Sequence, residues 1–138
     1  MQKLFDKAVL VDDDPISNYV TSQVIRKMEL SNEVVVLNNG QEAFDFFRQQ
    51  STSRDNSSTS DLVLLDINMA LINGFELLEA LRYTDYQENL KIVILSSSEN
   101  PKDVDEAAQY RIHGYITKPL TAEKLHAIFD LSPEGKAS

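Results

Sequence analysis

After seven residues the chain runs AVLVDDDPISNYVTSQVIRKM (residues 8–28), in which a strand pattern, an acidic turn and a helix pattern follow one another. Residues 8–11 form a short apolar segment with β-branched side chains, which predicts a buried strand. Asp14 followed by Pro15 is typical of a helix start, with the acid as the cap and the proline at the first helical position. An apolar stripe that recurs at every fourth residue then predicts a helix, and its members are Ile16, Val20, Val24 and Met28.

The same strand-then-helix pattern continues along the chain. Further apolar segments at residues 33–37, 62–65, 92–95 and 115–117 predict four more strands. Apolar residues at helical spacing predict the helices between and after them: Ala43 with Phe47, Leu77 and Leu78 with Leu81, Val104 with Ala108, and Leu125 with Ile128 and Phe129. Strands that are continuously apolar belong to a sheet covered on both faces. Five alternations of strand and helix therefore predict a doubly wound α/β fold.

Length, composition and charge exclude several classes of protein. The 138 residues suit one domain, and 42% hydrophobic with 25% charged residues is the composition of an ordinary soluble globular protein. There are no cysteines, and therefore no disulfide framework or thiolate metal site; this fits a reducing cytoplasm. No apolar run reaches membrane-spanning length and no signal peptide is apparent, so we expect a cytoplasmic protein without a membrane partner. The net charge of −9 argues against direct binding to nucleic acid.

One polar segment interrupts the compact pattern. Residues 51–60 (STSRDNSSTS) have low complexity and no periodicity, which predicts a flexible loop inserted in one domain over residues 1–131. Residues 132–138 are expected to form a C-terminal tail. Because Met1 lies only a few residues before the first strand, we expect a free-standing protein, with a piece of a larger one as the alternative.

Polar side chains follow four of the five predicted strands. Asp12 and Asp13 come after the first, Asp66 after the third, Ser96 after the fourth and Lys118 after the fifth. Ligands of an open parallel sheet bind beyond the carboxyl ends of its strands, where these groups would meet. Each taken alone has an ordinary explanation as a turn or cap residue. Four such strand ends in one chain indicate a site.

Three neighbouring carboxylates oppose one another's ionisation, and a divalent cation would relieve that repulsion. A set of oxygen ligands suits Mg²⁺. The bound ion would attract a phosphate, and a carboxylate such as Asp66 can act as a nucleophile that forms an aspartyl-phosphate. Lys118 would neutralise phosphate oxygens and Ser96 would donate a hydrogen bond.

The chain resembles the receiver domains of two-component response regulators. The resemblance rests on four motifs in order: VLVDDDP (residues 9–15), LLDINMALINGFELL (64–78), ILSSSENP (94–101) and GYITKPL (114–120). It covers the domain except for the loop at residues 51–60 and the tail. It implies a flavodoxin-like fold, a five-stranded parallel sheet in the order 2-1-3-4-5 with five flanking helices.

The resemblance also implies the roles of the site residues. Asp66 is the phospho-acceptor, and Mg²⁺ or Mn²⁺ is held by Asp12, Asp13, Asp66 and the main-chain carbonyl of Asn68. Lys118 is the family's lysine, expected to precede a cis peptide bond to Pro119.

Further positions are implied to control the signal. Ser96 and Tyr115 are the switch pair, and the side chains of Asn68 and Ser98 tune dephosphorylation. One position departs from the pattern: Ala70 stands where the family usually has proline, which should make the loop after Asp66 less rigid.

The implied function is that of a signalling domain that catalyses only its own phosphorylation and dephosphorylation. Its phosphate donor would be a histidine kinase or a histidine phosphotransfer protein, and its target a protein that binds the face formed by the fourth helix, fifth strand and fifth helix. Three alternatives are a phosphate-independent interaction module, a receiver excised from a larger regulator or hybrid kinase, and a Mg²⁺-dependent phosphohydrolase. The last ranks lowest because such enzymes usually have an acid where this chain has Asn68.

Overall fold

The computed structural model describes residues 4–53, 60–97 and 100–129. Within them five strands alternate with five helices, and a 3-10 turn at Asp85–Asn89 precedes the fourth strand. The strands are β1 (Phe5–Val11), β2 (Ser31–Leu37), β3 (Asp61–Leu65), β4 (Leu90–Ser96) and β5 (Gly114–Thr117). The helices are α1 (Pro15–Met28), α2 (Gly40–Ser53), α3 (Gly74–Leu81), α4 (Pro101–Ala107) and α5 (Ala122–Phe129).

The strands form one parallel sheet in the order β2-β1-β3-β4-β5. This confirms the predicted fold class and the strand order that the resemblance implied. Each strand begins one to three residues before its predicted start. The added residues, such as Asp6 and Lys7 in β1, are partly polar and pair through their backbone, so a search for apolar runs passes over them.

Two hydrophobic cores cover the two faces of the sheet. Alternate residues of β1 divide between them, since Val9 and Val11 belong to one core while Ala8 and Leu10 belong to the other. The first core is completed by α2, α3 and α4, and the second by α1 and α5. The continuous apolar character of the strands follows directly from this burial on both sides.

Helix α1 begins as predicted, but only the second half of its apolar stripe, Val24 and Met28, packs against a core. The Asp14 carboxylate accepts the Ile16 N–H at 3.0 Å, which caps the helix. Ile16 is 74% exposed and Val20 41%, whereas the buried residues of α1 are Asn18, Thr21, Ser22 and Ile25. The first half of α1 therefore turns polar side chains inward, next to the carboxyl edge of the sheet, and apolar ones outward.

Two sequence-based boundaries fall near or outside the described residues. Helix α2 extends to Ser53, three residues into the segment predicted to be a loop at residues 51–60. Residues 54–59 and the predicted tail at residues 132–138 lie outside the described part of the chain, so both remain predictions. None of the helices in the described part has the length and apolar character needed to cross a bilayer.

Candidate functional site

The backbone fixes the strand ends that carry the site. The Asp12 N–H donates to the Leu37 carbonyl at 3.2 Å, and the Asp66 N–H donates to the Val11 carbonyl at 2.9 Å. These bonds continue the β2-β1-β3 ladder for one residue beyond the strands. Asp12 and Asp66 are therefore held by the sheet itself, side by side at its carboxyl edge.

Asp12, Asp13 and Asp66 come together as predicted, with one carboxylate oxygen of each within 4.8 Å of the other two. Asp12 and Asp66 are buried, at 4% and 5% exposure, while Asp13 faces solvent. Two sheltered oxygens and one accessible oxygen fit a hard divalent cation that keeps part of its water shell, which is how Mg²⁺ binds proteins. The three aspartates are thus a suitable Mg²⁺ donor set.

The ammonium of Lys118 lies between the two buried acids. Its Nζ is 2.7 Å from Oδ2 of Asp12 and 3.3 Å from Oδ2 of Asp66. The Lys118 N–H also donates to the Ser96 carbonyl at 2.8 Å, so β4 fixes the start of the lysine's loop. The bond between Lys118 and Pro119 is cis, as the resemblance implied. Lys118 thus places one positive charge against a site with three negative ones.

Protonation of the site reflects this excess of acid. Burial raises the pKa of Asp66, and the charge of Asp12 raises it further; the N–H of Asn68 and the ammonium of Lys118 lower it but do not reverse the shift. Burial works to lower the pKa of Lys118, but its hydrogen bond to Asp12 and the charges of Asp66 and Asp12 outweigh burial, and the net pKa is raised. The lysine therefore stays charged, and Asp66 lacks a full counter-charge.

Asn68 connects the acceptor to the predicted switch residue. Its N–H donates to Oδ1 of Asp66 at 2.9 Å, and its side-chain Nδ2 donates to Oγ of Ser96 at 3.2 Å. Ser96 is fully buried at the end of β4. Ser98, predicted to tune dephosphorylation, lies outside the described residues, so that role stays a prediction.

Tyr115 lies on β5. It is half-buried, packs against the core that also contains Ala107 of α4, and lines a groove of about 300 Å³ beside that helix. Its backbone pairs with Ile94, two residues before Ser96 on β4. Tyr115 is therefore on the surface formed by α4 and β5, and it lies on the strand next to the one that ends in Ser96.

The loop after Asp66 is held by the residue that departs from the family pattern. The Ala70 N–H donates to Oδ2 of Asp13 at 3.2 Å, a bond that a proline at this position could not make. Leu71 follows with a left-handed φ of 68° and a fully exposed side chain. The substitution thus adds a direct contact between this loop and one of the acids.

Asn18 is a site residue that the sequence analysis missed. It is buried on α1, and its Nδ2 donates to the Asp12 carbonyl at 2.8 Å. The missed signal is its place on α1: Asn18, Thr21, Ser22 and Ile25 lie three or four residues apart and form the inward face. A search confined to apolar stripes could not find it.

Comparison with known proteins agrees with this geometry. The family model described as the response regulator receiver domain matches residues 8–130. Response regulator Rcp1 of Synechocystis is 27% identical over 117 residues, which is 85% of this chain and 79% of Rcp1.

Two solved structures are similar over most of their length. A two-component response regulator from Cytophaga hutchinsonii superposes with a TM-score of 0.79 at 26% identity, covering 99% of this chain and 100% of that one. The phosphorylated cyanobacterial phytochrome response regulator RcpA superposes with a TM-score of 0.69 at 27% identity, covering 92% and 89% respectively.

Proposed function

We propose, from the premise that this chain belongs to the response regulator receiver family, that its Asp66 accepts a phosphoryl group and thereby switches a protein-binding surface. Receiver domains of this family take phosphate from histidine kinases and are signalling domains rather than metabolic enzymes. The observation that carries the proposal is the placement of the Lys118 ammonium between Asp12 and Asp66, within a set of three carboxylates.

The reaction is a displacement at phosphorus. An Asp66 carboxylate oxygen bonds to the phosphorus of a phosphohistidine while the P–N bond breaks, and the electron pair of that bond stays on the imidazole nitrogen. Mg²⁺ held by Asp12, Asp13 and Asp66, with the Asn68 carbonyl as a further ligand, would neutralise charge on the transferred group. Lys118 supplies the second cation and Asn68 orients the acceptor through its N–H. We expect the chain to act in the cytoplasm. Both free Mg²⁺ and donor proteins phosphorylated from ATP are available there.

Phosphorylation changes the balance of contacts at Ser96. A phosphoryl group adds negative charge and strong acceptor oxygens. The Ser96 hydroxyl, whose Oγ accepts the Asn68 side-chain N–H, can donate its own proton to one of these oxygens. We infer that Ser96 moves toward the phosphate and that Tyr115 follows, which alters the face of α4, β5 and α5. The phosphate acts by favouring one of two states that already exist, so its effect is limited by its differential contacts with them.

The surface beside Lys118 suits a protein donor. Ile16 and Val20 on α1 are exposed, and with Lys118, Pro119 and Leu120 they line a groove of about 280 Å³. Lys118 joins this groove to the acceptor, since its Nζ lies 3.3 Å from Oδ2 of Asp66. The exposed apolar side chains of the groove give a donor protein a surface to pack against while its phosphohistidine approaches Asp66. This supports a histidine kinase or a histidine phosphotransfer protein as the partner.

Intact-mass spectrometry after incubation with acetyl phosphate and Mg²⁺ tests the proposal. We expect the wild type to gain one phosphoryl group, and to gain none when EDTA removes the metal. Asp66→Asn should stay unlabelled, while Asp45→Asn, which removes an exposed acid from α2, should label like the wild type.

A wild-type protein that gains no metal-dependent mass would sink the proposal and favour the phosphate-independent interaction module. Equal labelling of wild type and Asp66→Asn would assign the acceptor to another residue.

A further inference from the structure

Lys124, which no part of the reaction above uses, binds the loop that carries Lys118. Its Nζ donates to the Thr117 carbonyl at 2.7 Å and to the Pro119 carbonyl at 2.9 Å. These two residues are the neighbours of Lys118 on either side. The ammonium of one lysine thus joins the backbone before and after the other.

The position of Lys124 in its helix is electrostatically unfavourable. It is the third residue of α5, and a cation in the first turn opposes the positive end of the helix dipole. Thr121 caps this helix, since its Oγ1 accepts the Lys124 N–H at 3.3 Å. The lysine's charge therefore disfavours the start of the helix, and its two short bonds to carbonyls offset this cost.

The side chain of Lys118 must reach two acids at once, and bonds to the neighbouring carbonyls would fix the backbone from which it extends. Its side chain reaches from the residue after β5 to the two buried carboxylates that follow β1 and β3, and it is half-buried. The Lys118 N–H is fixed on Ser96, but that bond holds only one point of the loop. The two carbonyls bound by Lys124 supply the other points.

We propose that Lys124 is a positioning residue for phosphoryl transfer: by binding the Thr117 and Pro119 carbonyls it aims the Lys118 ammonium at Asp66. This inference rests on the proposed function for its kinetic consequence, but its structural consequence, a fixed Lys118, does not depend on it. Lys124 touches no acid of the Mg²⁺ donor set, so its removal should affect transfer without weakening the metal.

Lys124→Met tests the inference because methionine keeps the length of the side chain and loses the donors. We expect phosphorylation by acetyl phosphate at saturating Mg²⁺ to slow by about tenfold, since small displacements of a group that contacts the reacting atoms are costly. The Mg²⁺ dissociation constant, followed by amide NMR shifts, should not rise. The ε-CH₂ resonances of Lys118 should shift, which reports its placement without any phosphoryl transfer.

Two further variants serve as controls. Lys124→Arg keeps the charge and the donors and should recover most of the rate. Lys102→Met removes an exposed lysine from the first turn of α4 and should leave both the rate and the Lys118 resonances at their wild-type values.

The inference is overturned if Lys124→Met labels at the wild-type rate, if its rate and Mg²⁺ affinity fall together, or if the Lys118 resonances do not move. If the wild type itself is never labelled, the proposed function fails, and the Lys118 resonances of Lys124→Met alone decide whether Lys124 positions that lysine.

Discussion

Asp66 is a carboxylate whose surroundings oppose its charge. It is buried beside Asp12, and the single ammonium of Lys118 is shared between the two. The resulting rise in the pKa of Asp66 means that the folded protein binds this proton more tightly than the unfolded chain does. Folding stability therefore falls as pH rises from the unfolded pKa, near 3.8, through the raised folded value.

Above that window, where Asp66 is ionised, neutralising it should stabilise the metal-free protein. We expect Asp66→Asn to have a larger free energy of unfolding than the wild type in urea titrations with EDTA, and the difference to shrink as pH falls through the window. Added Mg²⁺ should stabilise the wild type more than the variant, because the variant lacks one ligand. A wild type that is more stable than Asp66→Asn in EDTA at every pH above the window would contradict the electrostatic account of the site.

At the scale of elements, the sequence predicted all five strands and five helices but not how one helix lies on the sheet. Apolar runs mark strands that are buried on both faces, so β3, with every residue buried, was found almost completely. Helix α1 was different because its inner face near the site is polar and its outer face apolar. Apolar periodicity detects a helix, but where a helix packs next to a polar site its buried face can be polar.

The 3-10 turn before β4 was also not predicted, and one hydrogen bond ties it to the sheet. The hydroxyl of Tyr86 in this turn donates to Oδ2 of Asp61 at 2.5 Å, at the start of β3. Both side chains are buried, and burial together with the bond to Asp61 raises the pKa of Tyr86 far above its ordinary value. Asp61 also accepts the Lys7 N–H of β1 at 3.2 Å. Asp61 therefore links β1, β3 and the 3-10 turn at this end of the sheet.

Removing the Tyr86 hydroxyl should weaken this junction. We expect Tyr86→Phe to lower the free energy of unfolding by about 1–3 kcal/mol, the usual cost when a buried charged acceptor loses a partner. Tyr83→Phe is the matched control, since Tyr83 is 78% exposed, and its urea midpoint should stay at the wild-type value. Equal stability of Tyr86→Phe and the wild type would show that Asp61 is satisfied without the hydroxyl.

For the molecule as a whole, the position of the site could be predicted from the sequence because the fold could be predicted. A parallel sheet collects its strand ends at one edge, so residues 12, 13, 66, 96 and 118 could be brought together from their places after apolar runs. The strand order, the roles of the residues and the cis bond came from the resemblance to a family. Contacts such as those of Asn18 and Lys124 could not be predicted, since they depend on side-chain paths between elements that carry no motif.

The central claim is that a phosphoryl group on Asp66 is sensed at Ser96 and transmitted to Tyr115. Backbone amide NMR spectra with Mg²⁺ and beryllofluoride, a stable mimic of the phosphoryl group, test it directly. The account predicts shifts at Asp66, at Ser96 and around Tyr115 on the α4–β5–α5 face, and none of them in Asp66→Asn. Shifts that stop at Asp66 and leave the Tyr115 region unchanged, or that persist in Asp66→Asn, would contradict it.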